Sequence, residues 1–231
     1  MPVSTSPVPY LSEKAINPVI DRPLYSVYSF RWHGLDPENG DPVGYFDGET
    51  SKDYSAIYNR TPLDSLVFHG ALQPTHFGVW RNTVDYRNFT LSFSISYKFG
   101  AYFRQPSVSY GQYPIRWVEH ADYADRWVSA GDENRTHIPS NDYGSTINRS
   151  AFYLNSEVLV HKSDMIRFED IQFAYNIRAA KLGKYFSALK FYGVVSNLGL
   201  MWTANNAGID PYFNNIPSER PRFSLGASLT L

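Results

Sequence analysis

The chain has 231 residues, enough for one large domain or two small ones. Its 21 basic and 22 acidic residues give a net charge of −1, without the clustered basic face that a nucleic-acid partner calls for. Aromatic residues reach 16% and charged residues only 19%, below the usual share of about a quarter, a composition suited to exposed β surfaces. The lack of cysteine excludes disulfides, iron–sulfur clusters and thiolate zinc sites.

The first twenty residues, MPVSTSPVPYLSEKAINPVI, have neither a basic n-region nor an unbroken apolar h-region, so they do not read as a secretory signal. No window approaches the roughly 18 consecutive apolar residues of a membrane-spanning helix. Residues 1–21, with four Pro, read as an irregular lead-in. The first predicted strand covers about 22–33, where Leu24, Tyr28, Phe30 and Trp32 share a face with Ser26. It stops at the turn-rich GLDPENGDPVG. From 34 to 74 the chain reads as a mixed polar connection broken by Pro62 and Gly70.

A second strand is predicted over 75–86, with Trp80, Asn82, Val84 and Tyr86 on one side. Only Arg87 and Asn88 separate it from a third over 89–104, a spacing that predicts a tight antiparallel hairpin. In that third strand Phe89, Leu91, Phe93, Ile95, Tyr97 and Phe99 alternate with Thr90, Ser92, Ser94, Ser96 and Lys98. The next fifty residues, 105–156, have no sustained period and read as a functional loop or disorder.

A fourth strand is predicted over 157–177, whose later half sets Ile171, Phe173, Tyr175 and Ile177 against Asp170, Gln172, Ala174 and Asn176. A fifth covers 186–202, with Tyr192, Val194, Leu198, Leu200 and Trp202 in one register. The sixth, 221–231, opposes Phe223, Leu225, Ala227, Leu229 and Leu231 to Ser224, Gly226, Ser228 and Thr230.

These long strands exceed the mode of about 5–6 residues in globular sheets, and short connections alternate with long ones. That asymmetry is expected of an outer-membrane barrel, which needs about 9–11 residues per tilted strand and carries long loops on one side only. Tyr25, Trp32, Tyr86, Tyr102, Phe103, Tyr185 and Trp202 lie near strand ends, as interfacial girdles require. A soluble or surface-attached all-β carbohydrate-binding module also alternates in this way, because an antiparallel sheet with one solvated face has the same period. Pattern alone leaves both open.

Several blocks in order carry a family resemblance: GLDPENGDPVGYFDG, FGVWRNTVDYRNFTLSFSISYKFGAYFR, DYADRWVSAGDENRTHIPS, DMIRFEDIQFAYNI, LKFYGVVSNLGLMW with DPYF, and the terminal RFSLGASLTL. From about Leu24 to Leu231 the chain closely resembles the C-terminal barrel region of the SusC/RagA family of TonB-linked outer-membrane transporters. The resemblance implies an all-β fold, an antiparallel transmembrane segment of about six strands from a plugged barrel of about 22 strands, with long extracellular loops and a periplasmic C-terminus. It implies uptake of oligosaccharides or peptides with a SusD-like surface lipoprotein as lid, and energy from the TonB complex through a plug region. No plug segment precedes Leu24, so the expectation is a fragment. The family usually ends on an aromatic residue, and Leu231 departs from that pattern.

Candidate site residues are few. Trp117, Tyr123, Trp127 and Tyr143 fall in the long polar segment and could stack on sugar rings or meet the lid. Asp122, Asp125, Asp132, Glu133 and His137 form an acidic cluster, but it matches no calcium-loop template and one His gives no zinc set. DPENGDP lacks the order of a calcium loop, and its Pro and Gly are turn formers. No nucleophile–base spacing or Gly-rich phosphate loop stands out, so neither an enzyme nor a cofactor is expected.

Overall fold

The computed structural model describes residues 6–12, 16, 18–110, 120–141, 147–178, 187–214 and 217–230. In chain order its elements begin with α1 (Val8–Leu11), β1 (Ser26–Ser29), β2 (Gly34–Leu35), β3 (Pro42–Phe46), β4 (Glu49–Ser51), α2 (Tyr54–Arg60) and β5 (Val67–Ala71). Then come β6 (His76–Tyr86), β7 (Phe89–Phe99), β8 (Tyr102–Arg104), α3 (Ile147–Leu154), β9 (Val160–Lys162), β10 (Met165–Arg178), β11 (Ala188–Thr203) and β12 (Arg222–Thr230). They form two compact units, one from residues 1–73 and 101–162, the other from residues 74–100 and 163–231. Among the described residues no helix is long and apolar enough to cross a membrane.

Apart from the stretch 22–33, the first unit is built largely from segments whose sequence has no sustained period. Three small antiparallel groups, β1 with β5, β2–β3–β4, and β8 with β9, surround two aromatic clusters. Tyr10, Leu11, Tyr28, Phe30, Ile57, Leu66 and Phe152 make one; Val108, Tyr110, Ile138, Tyr153 and Leu159 make the other. Adjacent residues of α3 serve both, since Phe152 enters the first and Tyr153 the second. Burial of each such side chain is worth about 1.5–3 kcal/mol, enough to order a unit whose backbone pairing is this short.

Local chemistry sets the ends of these pieces. The Asp53 carboxylate accepts from the Ala56 N–H at 2.9 Å, capping α2, and Pro62 stops the helix one residue after Thr61. Buried Arg149 reaches from α3 to Asp41 at 2.8 Å and to the carbonyl and hydroxyl of Ser140, fixing the turn-rich stretch after β2.

The structure departs from the sequence reading here. Only Ser26–Ser29 of the strand expected over 22–33 pairs as strand. Beyond it Phe30 makes an isolated bridge to Ser156, and the Trp32 N–H is taken by the Glu157 carboxylate at 2.7 Å. The stretch 34–74, expected as a connection, holds β2 to β5 and α2, and the stretch 105–156 holds α3. Aromatic anchors at irregular spacing explain both differences, because a core assembled from turns leaves no period to read.

The second unit is one open antiparallel sheet of five strands in the order β12-β11-β10-β7-β6. Five long strands therefore stand where six were expected. The β6–β7 hairpin turns through Arg87 and Asn88, with Tyr86 opposite Phe89 and Arg87 at φ 56°. β7 ends at Phe99, not at 104, because Gly100 turns the chain with φ 81° and its N–H goes to the Asp164 carboxylate at 2.7 Å. The strand expected over 157–177 is divided: a 3-10 turn at Glu157–Leu159, then β9, then β10 from Met165.

Candidate functional site

Register fixes the two faces of the five-stranded sheet. Trp80, Val84 and Tyr86 pair with Ile95, Leu91 and Phe89, which pair in turn with Phe168, Phe173 and Tyr175. The same face continues through Ile177, Phe191 and Val195 to Leu229, Ala227 and Phe223. Phe89 contacts Phe173 and Tyr175 with ring centroids at 5.5 and 4.7 Å. No charged residue falls on this face among the described residues.

Arg81, Asp85, Lys98, Arg167, Asp170, Lys190 and Arg222 all fall on the opposite face, with Ser92, Ser94, Ser96, Gln172 and Ser224. On the central strands exposure runs against that of a water-soluble sheet, with Ser94 1% and Leu91 of the same strand 38% exposed. On the edge strands both faces are open, Phe223 and Leu225 of β12 and Phe77 and Val79 on the polar side of β6 included. Soluble monomers rarely leave a contiguous apolar surface five strands wide uncovered.

One irregularity keeps this sorting intact. Along β10 the apolar residues fall at Ile166 and Phe168, then at Ile171 and Phe173, so strict alternation would put one pair on the wrong face. The register slips by one residue between Phe168 and Asp170 against β7, leaving Glu169 as the bulge. Glu169 and Asp170 both serve the polar face, accepting from Ser96 and Ser94 respectively. On β11 the structure splits the expected register: Trp202 lies opposite Ile166 on the apolar face, and Tyr192 and Val194 do not share that face. Tyr192 and Val194 lie opposite Gly226 and Ser224 on the polar face, and Leu189, Phe191 and Val195 carry the apolar one. Both sides of β11 are apolar by residue type, so only the partners decide.

The polar face holds a charged cluster that sequence reasoning did not single out. Arg167, 3% exposed, donates through Nη1 to Asp210 Oδ2 at 2.6 Å, and its Nε lies 3.9 Å from Glu169 Oε2. The guanidinium carbon stands 5.0 and 5.6 Å from the ring centres of Phe213 and Tyr212, and Lys98 Nζ sits 4.4 Å from the Tyr212 ring. Arg81 adds a looser contact to Asp170 at 3.8 Å. DPYF was the available signal: Asp at the first and Pro at the second position of a turn presets it. The Phe213 N–H closes that turn on the Asp210 carbonyl at 3.0 Å.

Of the predicted contact residues, Trp117 and Tyr143 lie outside the described residues. Tyr123 sits in a 3-10 turn, Ala121–Asp125, with the Arg126 guanidinium 4.1 Å from its ring centre and its hydroxyl accepting from Asn141. Trp127 is 9% exposed, with Nε1 donating to Glu133 at 3.3 Å. The two rings are therefore in one loop but in different environments, one part-exposed and one buried.

The acidic cluster is a turn scaffold. Asp132 accepts from the N–H groups of Val128 and Ser129, each at 3.0 Å, and from Arg135; these bonds hold its carboxyl below the usual carboxylate range. Beside it an open cleft of about 640 Å³ is lined by Asp122, Asp125, Arg126, Asp132, Arg135 and His137 among others. No group of three or more His, Asp or Glu among the described residues is placed to hold a metal ion.

No protein-family model and no curated protein matches the chain. Solved structures do, over nearly all of this molecule. Among them is the RagAB peptide importer in its open-open state, at a TM-score of 0.61 and 15% identity over 88% of this chain. A second RagAB peptide transporter structure matches at 0.57 and 13%, and the closed-closed importer at 0.57 and 14% over 87%. At these identities the likeness is one of fold, and it is the fold to which the SusC/RagA resemblance of the sequence points. The chain spans 22% of the length of the chains it matches.

Proposed function

We propose that the chain is the C-terminal wall segment of a TonB-dependent outer-membrane transporter, its five long strands part of a larger closed barrel. The observation that carries this reading is the sorting of the sheet: an uncharged aromatic and aliphatic face left open across five strands, and a Ser- and charge-bearing face buried at its centre, at Ser94, Ser96 and Arg167. Lipid is the solvent in which such a face is stable, and strands of 9 to 16 residues meet or exceed the length needed to cross it. The free edges of β6 and β12 would then pair with the rest of the barrel, or with further copies of the chain when it is reconstituted alone, since an open edge is not tolerated in hydrocarbon.

In this reading the polar face lines the lumen, and the chain catalyses nothing. The short β6–β7 turn and the C-terminus face the periplasm. The cargo is a peptide or an oligosaccharide, with the peptide favoured by the fold neighbours, and a SusD-like lipoprotein is the partner. Tyr123 and the cleft beside it form the contact for cargo or lid, with Trp127 holding the loop in place. A soluble carbohydrate-binding module accounts less well for the chain, because it would leave the apolar face in water.

The chain contains no Cys, so single cysteines placed along β7 can carry nitroxide labels without background. In bilayers, labels at the odd positions 89–97 should collide with dissolved oxygen and those at the even positions should not. Equal access of a water-soluble nickel chelate to both sets would overturn the reading.

A further inference from the structure

The segment between β11 and β12 is not free over its described first half. Ala204 donates its N–H to the Asp164 carbonyl at 2.9 Å, and the Thr203 hydroxyl donates to the same oxygen at 3.2 Å, anchoring the start. Asn205, buried, then ties the loop to itself. Its Nδ2 donates to Thr203 Oγ1 at 2.7 Å and to the Ile209 carbonyl at 2.8 Å, while its Oδ1 accepts from the Ile209 N–H at 3.1 Å. Asp210 follows at the head of the Asp-Pro turn, and its Oδ1 accepts from the Tyr212 N–H at 3.0 Å. Its other carboxylate oxygen is thereby left for Arg167.

We propose that residues 204–214 are a strap laid over the polar face of the sheet and latched there by the Arg167–Asp210 ion pair. Tyr212 and Phe213 cover the latch, with Lys98 against the outer ring. Arg167 is 3% exposed on a strand whose neighbouring positions are mostly half-buried, and the groups against its guanidinium are Asp210, Tyr212, Phe213 and Glu169. The strap is preorganised by the Asn205 and Asp210 bonds, so release lifts it as one piece between its anchor at Thr203 and Ala204 and the stretch leading to β12, where Glu219 accepts from Asn197. The cationic surface it hides, Arg167 with Lys98, suits a carboxylate or another anionic group. As a gate over a lumen the strap rests on the transporter reading; as a latched element it does not.

Amide hydrogen exchange on the full chain in detergent micelles or bilayers tests the latch, because local opening sets the exchange rate of the segment that opens. Asp210→Asn keeps shape and removes the charge, and its position in a half-buried turn outside the strands leaves the sheet able to form. It should raise exchange within 204–214 by roughly tenfold or more and leave β7 unchanged, Arg167→Gln should do the same, and the double variant should be no faster than either alone. An Asp210→Asn chain within about twofold of the parent over 204–214, or a double variant whose effect is the product of the singles, would overturn the proposal. The nitroxide periodicity along β7 reports the transporter reading separately, so a latch can hold where that reading fails, and the reverse.

Discussion

Trp127 packs onto the bare backbone of Gly40: a β-carbon at residue 40 would stand 2.4 Å from both Cδ2 and Cε3 of the indole. Gly40 also has φ 70°, in the left-handed region. Gly40→Ala should therefore cost about 1–2 kcal/mol for the backbone and a further 1–3 kcal/mol, roughly, for displacing a packed ring. Chemical unfolding followed by tryptophan fluorescence measures this. An unchanged midpoint would show that the indole is free to move aside, and would return Trp127 to the role of an open stacking surface.

Acidification should weaken the first unit in a defined window. His69 accepts or donates at Ser29 Oγ across 2.7 Å, and burial together with the Arg104 charge holds its pKa down to about 4. Burial also lowers His137, opposed by Asp122, and His161, aided by His137. These histidines stay neutral in the folded unit but titrate near 6.5 when unfolded. Stability is then full above pH 6.5 and falls as the pH drops towards about 4. His69→Gln should flatten the curve of unfolding midpoint against pH across that interval. Asp132, whose pKa is lowered, acts at more acid pH: its contribution is present above the normal carboxylate range and is lost below it. An unaltered slope in His69→Gln would remove His69 from the account.

How far the sequence was legible depended on whether alternation and pairing carried the same information. On β7 they did, since Ser92, Ser94 and Ser96 cannot be confused with Leu91, Phe93 and Ile95, and the hairpin register followed from the two-residue turn. On β11 they did not, because Phe191 and Tyr192 look alike and only Gly226 and Ser224 across the strand pair decide which one turns to the polar side. The first unit was illegible for a different reason. Phe30, Ile57 and Phe152 meet from three distant places on short elements, and side-chain volume rather than period holds them together. Arg167 and Asp210, 43 residues apart, were equally hidden, although the Asp-Pro turn that aims the carboxylate was plain.

Deleting Glu169 should be far more harmful than changing it. Without the extra residue, either Ile166 and Phe168 or Ile171 and Phe173 must turn to the polar face, since a one-residue slip exchanges the faces of a strand. Glu169→Ala keeps the count and loses mainly the bond from Ser96 and the weak ion pair with Arg167, a cost of about 1–3 kcal/mol. The ordering is read from the yield of folded protein after dilution from urea into lipid. A deletion that folds as well as Glu169→Ala would mean that register is set elsewhere on β10.

Leu225 and Ser224 are neighbours near the middle of β12 that face opposite ways. If the apolar face meets hydrocarbon, Leu225→Arg places a guanidinium in lipid at a cost of about 2–4 kcal/mol near the midplane, and less towards either interface. Ser224→Arg puts the same group on the face that already carries Arg222, Lys190 and Arg167, where water and carboxylates can reach it. The two variants have equal charge and each carries one added guanidinium, so the main difference between them is the side of the sheet on which it stands. Leu225→Arg should lose most insertion into bilayers, measured as folded protein that floats with vesicles, while Ser224→Arg should remain near the parent. In water alone the difference should vanish or reverse, because an arginine at 225 then covers an exposed apolar site. Equal insertion of both variants would remove lipid from the outer face of this sheet and leave a protein partner as its only covering.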